Sequence, residues 1–71
     1  MEVGDYVVIM PTDSLAELKL MALCGKRATI SELCFSKNGE IHGAWVFLTG
    51  FSFQGEQEWY IPFNSLIYDN Y

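Results

Sequence analysis

The sequence predicts an all-β domain: five short strands rolled into a small barrel, with one short helix inserted between strands 1 and 2. Three observations carry this. β-branched and aromatic residues recur in short runs bounded by Gly, Pro and Asn. An Asn-Gly pair, Asn38-Gly39, separates the two longest runs. Only one passage, residues 12–26, has apolar residues at helical spacing.

The elements follow in order. VGDYVVIM (3–10) reads as a first strand, opened by Gly4-Asp5 and closed by Pro11, which cannot donate into a ladder. In TDSLAELKLMALCGK (12–26), Ser14 followed by Glu17 fits a capping box. Leu15, Leu18 and Ala22 share a helical stripe with Met21 alongside, and Gly25 suits the position past a helix end, so a helix is expected over about residues 14–23. Packing must hold so short a helix. KRATISELCF (26–35) is a second strand whose alternation fails near Glu32-Leu33, the mark of a bulge. SKNG (36–39) is a hairpin turn, and EIHGAWVFLTGF (40–51) is its antiparallel partner. A turn around Gly55 (52–57) leads to a fourth strand over 57–62, around EWYIP. FNSL (63–66) reads as a 3₁₀ turn and IYD (67–69) as a short closing strand. Closing the sheet on itself removes its exposed edges.

The 71 residues make one domain, 1–71, which is 51% hydrophobic and 15% aromatic. A chain this small buries only about 60% of its unfolded surface, so apolar surface is left over for contacts with a partner or a second copy. Nine acids against four bases give a net charge of −5. That disfavours nucleic acid, whose binding needs clustered Lys and Arg, and suits a basic partner. Glu2 and Asp5 stand where a signal peptide would be positive, and no apolar run approaches the ~20 residues of a membrane span. The expectation is a cytoplasmic protein with reduced thiols and no membrane partner. Size and acidity suit a bacterial or phage accessory protein.

The order GDYVVI … GKRATI … GAWVFLTG … EWYIPFNSL resembles SH3-like barrels. Gly4-Asp5 with Val7 and Ile9, then Gly25 with Ala28 and Ile30, is similar to the pattern of KOW-type and related bacterial SH3-like modules. IPFNSL is similar to the IPSNYV ending of eukaryotic-type SH3 domains, in which the Pro and Asn belong to the 3₁₀ turn and help line the ligand groove. The resemblance implies a five-stranded SH3-like barrel over nearly the whole chain. The chain departs from it twice: a capped helix replaces the open loop after strand 1, and the acidic doublet that grips basic peptides is reduced to Asp13 and Glu17. The basic surface of an RNA-binding KOW module is also missing.

Chemistry has little to build on. His42 is the one histidine and reads as a surface or structural side chain, and no Ser or Cys has the context of an activated nucleophile. Glu56 and Glu58 flank a turn and read as a solvated turn rather than an acid–base pair. Cys24 and Cys34 lack metal-ligand spacing and bracket a strand that holds them apart, so neither a zinc site nor an intrachain disulfide is expected. The expectation is no enzyme, no cofactor, no metal and no small-molecule substrate.

The aromatics are more informative. In strand 40–49 both faces are apolar. A tiny barrel takes compact branched side chains inside, which places Val46 and Leu48 inward with Ala28, Ile30, Val7, Ile9 and Ile61. Trp59 joins them. Tyr6, Trp45, Phe47 and Tyr60 then face outward as the candidate partner-binding residues. The alternative is that the helix 14–23 or the tail Tyr68–Tyr71 covers this patch. The functional expectation is a non-catalytic module that binds a protein partner, or itself, through an aromatic face with an acidic rim. Two alternatives stand beside it. A KOW-like nucleic-acid module requires Lys19, Lys26, Arg27 and Lys37 to converge. An acidic nucleic-acid mimic that inhibits a basic enzyme requires the nine carboxylates on one surface.

Overall fold

The structure, a computed structural model, describes residues 1–69. Residues 70 and 71, the end of the tail that is one alternative cover for the aromatic face, lie outside the described residues. Five antiparallel strands form one sheet: β1 (Tyr6–Ile9), β2 (Arg27–Phe35), β3 (Ile41–Leu48), β4 (Glu58–Pro62) and β5 (Leu66–Tyr68), in the order β4-β3-β2-β1-β5. Alternation sets the register. Ala28 and Ile30 stand opposite Leu48 and Val46, and Val46 opposite Trp59, so the compact side chains share one face. Val7, Ile9, Ile30, Val46, Leu48 and Ile61 are buried in one cluster with Leu15 and Leu23 from the segment between β1 and β2.

β2 carries register shifts between Ile30 and Glu32 and between Cys34 and Phe35. The first is the bulge expected where the alternation fails. Bulges bend and twist a strand, which lets both halves of the sheet turn toward one core. The sheet nevertheless stays open. β5 pairs with β1, no ladder joins it to β4 among the described residues, and β4 and β5 are the two edges. The expected barrel closure is therefore not seen. A 3₁₀ turn at Phe63–Ser65 carries the chain from β4 directly into β5, so the two run on from one another instead of pairing side by side.

The helical passage differs from the single helix expected over 14–23. It is α1 (Asp13–Glu17), then a break, then a 3₁₀ turn at Met21–Leu23. The N-cap is Thr12 rather than Ser14. Its hydroxyl accepts from the Leu15 N–H and meets the buried Ser65 hydroxyl across the fold. Lys19 takes a left-handed φ of 60° and ends α1. The Leu20 N–H bonds the Leu15 carbonyl at 3.2 Å and the Lys19 N–H bonds that of Ala16 at 2.9 Å, a Schellman closure in which buried Leu20 packs beside buried Leu15.

The hairpin between β2 and β3 also differs in detail. Only Gly39 has positive φ, and its N–H bonds the Ser36 carbonyl at 3.0 Å. This is a three-residue loop ending in a left-handed Gly, not a two-residue turn left-handed at both central residues. Between β3 and β4, Gln54 and Gly55 are both left-handed, with Phe53 bridged to Glu56.

Candidate functional site

The outer face of the sheet holds the aromatics. From Ala44 onward β3 alternates: Ala44, Val46 and Leu48 are buried, while Trp45 and Phe47 are 40% and 47% exposed. Tyr60 stands opposite Trp45, and the rings meet edge-on with centroids 6.1 Å apart. Phe47 lies two residues along the same face. Tyr6, 67% exposed, is in Phe47's row but separated from it by Thr29, about 10 Å away at the usual strand spacing. The four expected residues thus divide. Trp45, Tyr60 and Phe47 form one patch, whereas Tyr6 stands with the Arg27–Asp69 ion pair (3.3 Å) beside a hollow shared with Thr49.

The Tyr60 ring is fixed from three sides. Its hydroxyl hydrogen-bonds His42 Nδ1, and the His42 ring lies 5.8 Å from its own, so the chain's one histidine positions an aromatic ring. Beneath it is Gly43, where a Cβ would collide with the Tyr60 hydroxyl and come within 2.8 Å of the Ile61 carbonyl. Burial pushes the Tyr60 phenol above its ordinary pKa, and the charge of Cys34 adds to the shift. Trp59 points to the other side and is half-buried against the core. It lies 5.4 Å from Phe53, and its indole N–H donates to the Glu56 carbonyl at 3.1 Å, which ties the turn before β4 to that strand.

Carboxylates border the patch. Glu32 is opposite Trp45 and Glu58 opposite Phe47. Ser31, in the bulge, lies 3.1 Å from the Trp45 carbonyl and 2.8 Å from Glu58 Oε2, and its hydroxyl proton is shared between them. The bulge that brings Ser31 to the Trp45 carbonyl therefore also orients Glu58. Ser31, Glu32, Trp45 and Glu58 surround a polar hollow of about 220 Å³. A second, mostly apolar cleft of about 310 Å³ runs from Leu18 and Leu20 to Trp59, Trp45 and Tyr60. The segment after α1 thus walls a cleft beside the patch and leaves Trp45 and Phe47 open.

Sequence reasoning missed Leu18, Leu20, Ser31 and the His42–Tyr60 contact. Each depends on tertiary proximity. Only Gly43, a glycine inside a strand run, carried a local signal of close approach. The cations do not converge: the neighbours Lys26 and Arg27 turn to the Phe51 ring (4.4 Å) and to Asp69, Lys19 follows α1, and Lys37 is at the hairpin tip. Cys24 and Cys34 are free, half-buried thiols. Among the described residues no three His, Cys, Asp or Glu gather in a metal-holding group, and no helix is long and apolar enough to cross a membrane.

No protein-family model, curated protein or solved structure matches this chain. What stands is a small, mainly β protein with an open five-stranded sheet and an exposed aromatic patch on its outer face.

Proposed function

We propose that this is a non-catalytic protein-interaction module of SH3-like architecture, acting in the cytoplasm. Its binding surface is Trp45, Phe47 and Tyr60 with the acidic rim of Glu32 and Glu58. The strand order, the long bulged β2 and the 3₁₀ turn feeding β5 back beside β1 support the architecture. The observation that carries the function is the Trp45–Tyr60 pair. Three features of the fold, the Gly43 gap, the His42 bond and the T-shaped contact, hold these rings at the surface instead of in the core. Preorganised aromatics of this kind are what interface hot spots use.

The KOW-like reading lacks support because Arg27 opens the nine-residue β2 and Lys37 lies past its far end in the hairpin loop, too far apart to share one basic face. The mimic reading lacks it because the carboxylates do not share one surface: Glu32 and Glu58 border the hollow beside Trp45, whereas Asp69 lies with Arg27 beside the Tyr6 hollow and Asp5 accepts from the Glu2 N–H in the N-terminal turn.

The test places a photo-crosslinking amino acid at position 47 in cells. The expected result is a polypeptide adduct that is lost in a Trp45→Ser background and is not formed from position 37 at the hairpin tip. Light scattering over a tenfold concentration range tells whether the captured chain is a second copy. No adduct from position 47 sinks the reading.

A further inference from the structure

The apolar cleft has an unusual relation to the sheet. Trp59 points inward and Trp45 and Tyr60 outward, yet all three line it. A single cleft can do this only by straddling the edge of β4. That edge has no strand partner among the described residues. The Leu48 N–H bonds the Gln57 carbonyl at 2.7 Å, so Gln57, Trp59 and Ile61 turn their backbone groups toward β3. Glu58 and Tyr60 therefore turn theirs outward, into the cleft. Pro62, next in that series, has no N–H to offer. The open edge is thus short, two residues with two donors and two acceptors, and is walled on its far side by Leu18 and Leu20.

Charge sets what fits there. Glu56 and Glu58 line the cleft, and Glu32 lies beyond Trp45 in the adjoining polar hollow. Among the described residues no Lys or Arg stands in ion-pair range of these three, the Arg27–Asp69 pair lying elsewhere. A second copy of this chain would bring another net charge of −5, and an antiparallel β4–β4 pairing centred on Tyr60 would set Glu58 against the donorless Pro62.

We infer that the free edge of β4 takes up an extended, basic segment of a partner protein as a sixth strand. This rests on the interaction-module reading and names the partner's chemistry. Residues of the added strand opposite Glu58 and Tyr60 share the outer face. Basic side chains there meet Glu58 and the faces of Tyr60 and Trp45, with the charge of Glu32 lying further in, beyond Trp45. The alternate side chain stands opposite Trp59, against Leu18 and Leu20, and is apolar. The main-chain bonds supply affinity, and the alternating pockets supply selectivity. The cleft does not include the Pro62–Leu66 turn, where the SH3 resemblance would put a ligand groove.

The test uses the whole wild-type chain and three blocked hexapeptides: Arg-Val-Arg-Val-Arg-Val, the same peptide N-methylated at its Arg nitrogens, and Glu-Val-Glu-Val-Glu-Val. The readouts are fluorescence anisotropy and amide shifts. The Arg-Val peptide is expected to bind saturably, to shift the Glu58 and Tyr60 amides, and to slow their hydrogen exchange. N-methylation should weaken it about thirtyfold, the equivalent of two ordinary hydrogen bonds. The acidic peptide should not bind, and Glu58→Gln, which keeps the Ser31 contact, should weaken the Arg-Val peptide several-fold. Equal binding of the N-methylated peptide overturns strand addition. Equal binding of the acidic peptide overturns the charge argument. Binding by none of the peptides overturns the inference, as does a peptide-free dimer with the Tyr60 amide protected. In each case a Trp45-dependent adduct at position 47 still upholds the interaction module, so the two failures are separable.

Discussion

Gly43 is a glycine because Tyr60 lies across it. A methyl group there meets both the Tyr60 hydroxyl and the Ile61 carbonyl, and the carbonyl belongs to the ladder and cannot swing aside. Gly43→Ala is expected to destabilise the fold by about 1–3 kcal/mol, the usual cost of overpacking a tight site, read from urea denaturation. It should also displace the Tyr60 ring and shift the Trp45 indole signals. Tyr60→Phe keeps the ring and removes the hydroxyl bonded to His42, at an expected cost of about 0.5–1.5 kcal/mol near neutral pH. The two proteins should then converge in alkali. Burial foremost, and Cys34 second, raise the folded pKa of Tyr60, so folding favours its neutral form. The contribution is fully present below the unfolded value, about 10, and is lost as pH rises through the higher folded value. Urea midpoints of wild type and Tyr60→Phe, compared from about pH 8 to about pH 11, check this because the other titrating groups cancel. A constant gap would contradict it.

The residue just past the C-cap of α1 is a lysine in a conformation that favours glycine. Lys19 occupies the left-handed position of the Schellman closure at φ 60°, and the hydrogen bonds of Leu20 and Lys19 hold it there. Lys19→Gly is expected to stabilise the chain by about 0.5–1 kcal/mol, since relief of left-handed strain outweighs the entropy glycine gains in the unfolded chain. A lower urea midpoint would mean that the Lys19 side chain makes a contact worth more than the strain. This break shows where sequence reading reaches its limit. Leu15, Leu18 and Ala22 keep helical spacing, and Ser14 with Glu17 reads as a cap, because both signals are local. The actual cap is Thr12, and its partner Ser65 is 53 residues away. The helix stops where burial of Leu20 beside Leu15 turns the chain inward. The strands were legible because alternation is also local: the inward set from Val7 to Ile61 and the bulge after Ile30 both follow from period two. The aromatic patch followed from the same alternation. The cleft did not, because Leu18 and Tyr60 meet only once the segment after α1 has folded beside the β4 edge.

The whole molecule is an open sheet around one small core, and its acids outnumber its bases. It carries a net charge of −5, and Arg27–Asp69 is the one ion pair among the described residues. Glu32 and Glu58 flank the same indole and repel one another, with Glu58 held toward Glu32's side by Ser31. Such a surface destabilises the compact state through self-repulsion, and salt relieves it. Raising NaCl from about 10 mM to about 300 mM, which shortens the screening length from roughly 30 Å to about 6 Å, should therefore raise the urea midpoint at pH 7. Glu32→Gln should raise the midpoint at low salt and flatten its salt dependence, which separates relief of repulsion from any general effect of NaCl on burial. A basic strand lying along β4 would relieve the same repulsion, so stability and partner chemistry share one electrostatic cause. If instead the midpoint falls with salt, the carboxylates are already held by attractive partners on the chain, and the acidic rim loses its claim to recognise a basic one.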